Sequence, residues 1–369
     1  MKKIVLSVVT ILLAGGFSSY VNAQKDISNI FKAGFVDLNT LAGGYLKPAG
    51  NSFSSGLGSN WYNTAEVHKP WGFDLTLGVG VVQAPQSDQT FSLTGLKNLT
   101  PTDPSMTSAP TFTGKGEGVE LNLMQSQTLA TGQANPYYPG KIVSFTTPKG
   151  VSKIIPTASL QFTIGVPYVN DVSIRLIPTI KTSGFEASLW GIGIKHNFKQ
   201  WIPGFKDLPF DASVVLAYSK FDVKYGFPTD NLVTPDKLVS DGVSFIPDPN
   251  SSDYNNQGMK VSSNAETANL VFSKNFLFFT PYIGFGITNT SFDLSMTGNY
   301  PTLGDPVQSG NTYKMKIKNI TNPINFKSSE VMANATLGFR LKLAVISVHA
   351  QYEFQKYPVA SAGFGFTFR

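Results

Sequence analysis

Stretches of about ten residues in which apolar residues alternate with small or polar ones recur along this chain, and they restrict its fold more than any other feature. In FDLTLGVGVV, Phe73, Leu75, Leu77, Val79 and Val81 alternate with Asp74, Thr76, Gly78 and Gly80. A period of two puts each set on its own face of a strand. TASLQFTIGV, VSIRLIPTI, VMANATLGFRL and AVISVHAQYEF repeat the pattern, and the chain ends with Phe364, Phe366 and Phe368 on one face and Gly365 and Thr367 on the other.

A two-sheet sandwich also alternates, but its strands average about 5–6 residues and its outer face meets water. Here the segments have the length of tilted membrane-crossing strands. Their polar faces are rich in glycine and threonine rather than lysine and glutamate. Aromatic residues gather near segment ends, as in interfacial girdles: Trp71 with Phe73, Trp201 with Phe205, Phe278 with Phe279, and Phe366 with Phe368. The expected fold is all-β, a transmembrane antiparallel β-barrel of 10–14 strands with a short N-terminal helical hatch. Ten segments stand out: 71–84, 157–167, 171–181, 185–198, 209–226, 257–274, 278–297, 327–341, 344–355 and 359–368. Connections 85–156, 227–256 and 298–326 are long and polar and fall on one side, as outer loops do; short turns fall on the other. Region 85–156 has room for further hairpins near FSLTGL or KIVSFTT, which sets the upper bound. Both mature termini are placed on the periplasmic side. Apolar parity switches after Tyr218 and after Ile287, as expected either from a bulge or, the reading preferred, where strands rise above the membrane.

The organisation expected is a signal peptide at 1–23, a hatch or plug at 24–66 and the barrel at 67–369. MKKIVLSVVTILLAGGFSSYVNAQ has two lysines, an apolar run and a small-residue cleavage site. Ile27, Ile30, Phe31, Leu38, Leu41 and Tyr45 recur at helical spacing up to Pro48, which is expected to stop the helix. A flexible stretch, AGNSFSSGLGSNWYNTA, follows. With few basic residues, the helix suits the lumen better than a membrane surface.

The chain has no cysteine and three histidines, and its net charge of +6 is scattered, which does not point to nucleic acid. No hydrolase, zinc-protease or phosphate-loop motif is present, so the expectation is a protein that is not an enzyme, with no catalytic, cofactor or metal residues. His349 and Glu353 lie four positions apart on one strand, about 13 Å, too far for a dyad. DPNSSDYNNQ is read as a solvated loop, His68 as an exposed loop residue and His196 as a strand-end residue. Lumen-facing candidates are Arg175, Arg340, His349, Gln351 and Glu353. Candidates for hatch contacts are Ile27, Phe31 and Leu38 on the helix and Gly363 and Gly365 on the wall. A two-residue loop at Lys342-Leu343 would set Thr336 opposite His349 and Asn334 opposite Gln351, with His349 touching the N-terminal segment.

YLKPAGNSFSSGLGSNWYNTAEVHKPWGFDLTLGV and GIGIKHNFKQWIPGFKDLPFDASV resemble an uncharacterised family of bacterial outer-membrane β-barrels. The plan of a hatch followed by a barrel is remotely similar to the long-chain fatty-acid transporter family, with Asn63-Thr64-Ala65 standing where many such transporters have Asn-Pro-Ala. The resemblance implies a bacterial outer-membrane location and a passage or binding site for small hydrophobic molecules. A closed barrel whose outer loops bind a partner or serve a structural role is the alternative. Expected partners are outer-membrane lipid, small apolar ligands and the barrel-assembly machinery.

Overall fold

The computed structural model describes residues 37–124, 141–168, 170–182, 184–205, 207–238, 245–246, 253–309 and 312–368. The expected signal peptide, Ile27 and Phe31 lie outside the described residues. Ten strands form a closed barrel: β1 (Phe73–Gln83), β2 (Ile154–Val166), β3 (Asn170–Thr182), β4 (Phe185–Asn197), β5 (Asp211–Gly226), β6 (Gly258–Ser273), β7 (Phe279–Thr297), β8 (Asn325–Leu343), β9 (Ile346–Phe354) and β10 (Val359–Phe368). Each pairs antiparallel with its neighbour in sequence, and β1 closes the barrel on β10, from Phe73 opposite Phe368 to Val82 opposite Val359.

The ten strands match the ten alternating segments. The extra hairpins allowed within 85–156 do form strands, among them Thr90–Ser92 and Lys141–Thr146, but these pair in small sheets within the loop rather than entering the barrel. Another loop folds as the hairpin Asn299–Ser309 and Thr312–Thr321. The three longest connections leave one rim, here the loop rim; the opposite, turn rim carries shorter links, the longest of them 198–210, and the end of β10.

The outward faces carry exposed apolar side chains, such as Leu337 at 58% and Phe364 at 45%. The inward faces carry buried polar ones, such as Thr163, Ser173, Asn269 and Thr288. That inversion is stable only where the outside is hydrocarbon, and closure leaves no strand edge unpaired. The molecule is a transmembrane β-barrel.

Two expectations about the elements need correction. The helix does not stop at Pro48: α1 runs Leu38–Gly58 with Pro48 inside it, and the stretch read as flexible is its second half. Its packing on every side outweighs the bond that proline removes. The β8–β9 loop is Ala344-Val345, not Lys342-Leu343, so His349 opposes Arg340, Gln351 opposes Gly338 and Thr336 opposes Glu353. A left-handed Ala344 (φ 55) makes that tight turn. The shift of four residues is even, so each side chain keeps its face. The expected periplasmic position of the mature N-terminus lies outside the described residues; the described chain begins at Asp37 at the loop rim, and α1 crosses the barrel ahead of β1.

Candidate functional site

The interior is occupied by the chain's own residues 37–68. At the loop rim the Asp37 carboxylate accepts the backbone N–H groups of Lys97, Asn98 and Leu99 at 2.8, 2.8 and 3.1 Å. Leu38 packs among Val233, Phe292, Leu294, Met296, Tyr300 and Ile324. From there α1 descends along β7: Gly50 faces Phe292, Ser54 donates to the Ser291 carbonyl at 3.0 Å, Gly58 faces Thr288 and Tyr62 lies against Gly284. At 21 residues α1 is about 32 Å long, comparable to the hydrocarbon thickness of a bilayer.

This placement explains the parity switches. The ladders of β5 with its neighbours, and of β7 with its neighbours, run without a bulge. Phe221 and Phe292 follow the inward parity, and Phe221 meets Phe53 of α1 with ring centroids 4.9 Å apart. Near the loop rim the inner wall is apolar because its neighbour there is the plug.

At the lower end of α1, Arg175 meets carbonyls in and just past the last helical turn, and Ser219 Oγ also donates to the Leu57 carbonyl at 2.9 Å. Its guanidinium donates to the carbonyl oxygens of Leu57 (3.1 Å), Ser59 (3.0 Å) and Asn60 (2.5 Å), and its Nε donates to Gln161 Oε1 (3.0 Å). It also lies 3.8 Å from the centroid of the Trp61 ring. A helix C-terminus is partly negative and its last carbonyls lack intrahelical partners, so one buried arginine satisfies both needs. Ser59 Oγ donates to Glu353 Oε2 at 2.8 Å, and Gln351 accepts from Tyr282 Oη at 2.9 Å. His349 Nε2 donates to Asn60 Oδ1 at 2.9 Å, while Tyr62 Oη donates to Thr336 at 2.9 Å.

The wall glycines make space for these groups. A Cβ on Gly363 would lie 2.2 Å from His349 Cε1, and one on Gly284 would lie 2.3 Å from Tyr62 Oη. Gly365 accommodates Thr76, so Gly363 and Gly365 make room for wall side chains rather than for α1. Arg340 is buried near the turn rim and donates to Thr367 Oγ1 at 3.0 Å, binding wall to wall.

Below Tyr62, Ser273 Oγ accepts from the Ala65 N–H at 2.9 Å, and Lys195 Nζ donates to the Glu66 carbonyl at 2.6 Å. His68 is not an exposed loop residue. Its side chain is 7% exposed, with Nδ1 3.1 Å from Asp171 and Nε2 3.5 Å from Asp74, while Lys195 lies 3.0 Å from Asp171. His196, at the end of β4, has Nδ1 2.8 Å from Asn170 Oδ1.

Sequence reasoning passed over Trp61 and Tyr62, the bulkiest lumen fillers. An adjacent aromatic pair inside an otherwise small, polar stretch was the available signal. A cavity of about 20 Å³ remains between plug and wall, lined by Gly56, Asn60, Gly78, Thr157, Ser159 and Arg175. It holds about one water, whereas ligand pockets measure roughly 300–1,000 Å³.

These features define a ten-stranded transmembrane barrel plugged by its own N-terminal segment. The chain belongs to the Family of unknown function (DUF6588), whose model matches residues 1–368. No curated protein matches it. Among solved structures, it is similar to the N-terminal barrel of Pseudomonas aeruginosa OprF at 12% identity and TM-score 0.23, covering 54% of this chain and 98% of that one. It is also similar to the translocator domain of the Neisseria meningitidis autotransporter NalP, at 9% identity and TM-score 0.28, over 91% and 98% of the two chains. For Ail, the attachment invasion locus protein of Yersinia pestis, the values are 9% and 0.25, over 81% and 99%. At these scores the likenesses carry no functional argument.

Proposed function

We propose that this protein is a bacterial outer-membrane barrel held shut by its own N-terminal segment, with the cap of long loops as its working surface. In this reading it acts by binding or by a structural role, not by catalysis. Its surroundings are outer-membrane lipid and, during biogenesis, the assembly machinery. The observation that carries it is Arg175, whose guanidinium makes four hydrogen bonds, three to plug carbonyls and one to Gln161, deep inside the barrel. A lumen built for passage of small hydrophobic molecules would leave a path beside the plug. The cavity beside Arg175, about 20 Å³, is far below ligand size.

The test is conductance of the purified protein in a planar bilayer, together with uptake of small apolar solutes by cells with and without the gene. No steady current and unchanged uptake are expected. A sustained open state, or uptake that depends on the protein, would restore the passage reading. Recovery in the outer-membrane fraction with a heat-modifiable gel mobility is expected of a closed barrel; recovery in the soluble periplasm would overturn the location.

A further inference from the structure

The direction of the plug carries a consequence for the chain ahead of it. Residues 37–68 run from the loop rim to the turn rim, and β1 then starts upward from the turn rim. Three independent contacts fix the upper end: the Asp37 carboxylate on the N–H groups of the 97–99 loop, Leu38 in the apolar cluster of the cap, and Asn39 Oδ1 accepting the Asn325 N–H at 3.0 Å. The lower end is fixed by Ser273, Lys195 and Asp171. The chain before Asp37 therefore joins the plug at the rim that carries the long loops.

We propose that this barrel passes its own N-terminal segment across the membrane and displays it on the outer surface. The inference rests on the outer-membrane reading above, with the loop rim outside, the side that carries long loops in such barrels. If cleavage follows Ala23, the displayed segment is residues 24–36, QKDISNIFKAGFV. The shape of the plug suits such a crossing. Gly43, Gly44, Gly50, Gly56 and Gly58 keep α1 narrow, and a Cβ at each would come within 2.2–2.8 Å of a wall or cap side chain. The wall has thus closed around this segment with no clearance for a second strand of chain.

The native chain lacks cysteine, so single-cysteine variants of the full-length protein report accessibility without background. Four positions are labelled with a membrane-impermeant maleimide on intact cells, and again after the outer membrane is permeabilised. They are Ser28→Cys in the segment ahead of the plug, Thr40→Cys at the exposed top of α1, Ser105→Cys in a long loop and Lys69→Cys at the exposed turn rim. Heat-modifiable mobility of each variant verifies folding. The expected result is labelling of Ser28→Cys, Thr40→Cys and Ser105→Cys on intact cells, with Lys69→Cys labelled only after permeabilisation. Labelling of Ser105→Cys without Ser28→Cys on intact cells would overturn the display alone. So would failure of Ser28→Cys to label in detergent-solubilised protein, because the segment would then have been removed. Protection of Ser105→Cys with labelling of Lys69→Cys on intact cells would overturn the membrane orientation, and the display with it.

Discussion

The ring of Phe292 occupies the space a side chain on Gly50 would need: a Cβ built there lies 2.2 Å from the ring's Cγ. Plug and wall are cut to one another, glycine on the helix against phenylalanine on the strand. Because interiors are close-packed, neither partner can change alone.

Gly50→Ala should therefore destabilise the plugged barrel by about 1–3 kcal/mol, the usual cost of overpacking, even though alanine is the better helix former. Thermal melting of the purified protein in detergent checks this. Adding Phe292→Ala to Gly50→Ala should recover part of the loss. A Gly50→Ala variant as stable as the native protein would mean that the helix is not seated against β7.

Arg175 makes more hydrogen bonds to the lower end of α1 than its neighbours Ser219, His349 and Glu353, which make one each. Arg175→Ala leaves the carbonyls of Leu57, Ser59 and Asn60 short of donors and Glu353 without its neighbouring positive charge. Breaking a buried charge arrangement of this kind costs about 3–5 kcal/mol. The expected outcome is intermittent conductance in planar bilayers where the native protein is silent. Arg175→Lys should rescue poorly, since an ammonium cannot reproduce the planar fork.

At the turn rim, the Asp171 carboxylate gathers Lys195, the His68 ring and the His68 backbone N–H. Asp171→Asn keeps the shape but removes the charge, and should cost about 1–3 kcal/mol. A glutamyl endopeptidase should then cut after the exposed Glu66 faster than in the native barrel. Adding Lys195→Gln, which removes the stranded charge, should restore part of the resistance.

Phe368 faces outward at 43% exposure and stacks on Phe73 at 5.0 Å, whereas Thr367 is buried beside Arg340. Phe368→Asp should lower the yield of heat-modifiable barrel in the outer membrane, because it puts a charge on the lipid face. Thr367→Asp should do so much less, since Arg340 stands beside the new carboxylate. Equal yields would contradict the assigned faces.

Strand positions and strand facing were legible in the sequence, with ten strands at the low end of the range it allowed, because strand facing follows from a local period of two that the membrane outside and the polar lumen inside both enforce. Buried, inward-facing positions for Arg175, Arg340, His349, Gln351 and Glu353 follow from the same parity. The β8–β9 register was not legible, since Ala344 takes its left-handed turn conformation only in the paired hairpin, and an even shift leaves the facing pattern unchanged. The plug was hidden for a related reason. In residues 49–65 the apolar side chains, Phe53, Leu57, Trp61 and Tyr62, are thinly spread among glycine, serine and asparagine that fit a polar, glycine-lined wall, so the stretch looks like a linker. Its passage through Pro48, its direction from the loop rim downward and the burial of His68 between Asp74 and Asp171 were decided by tertiary packing alone, because each depends on wall residues hundreds of positions away or on strands that meet only when the barrel closes.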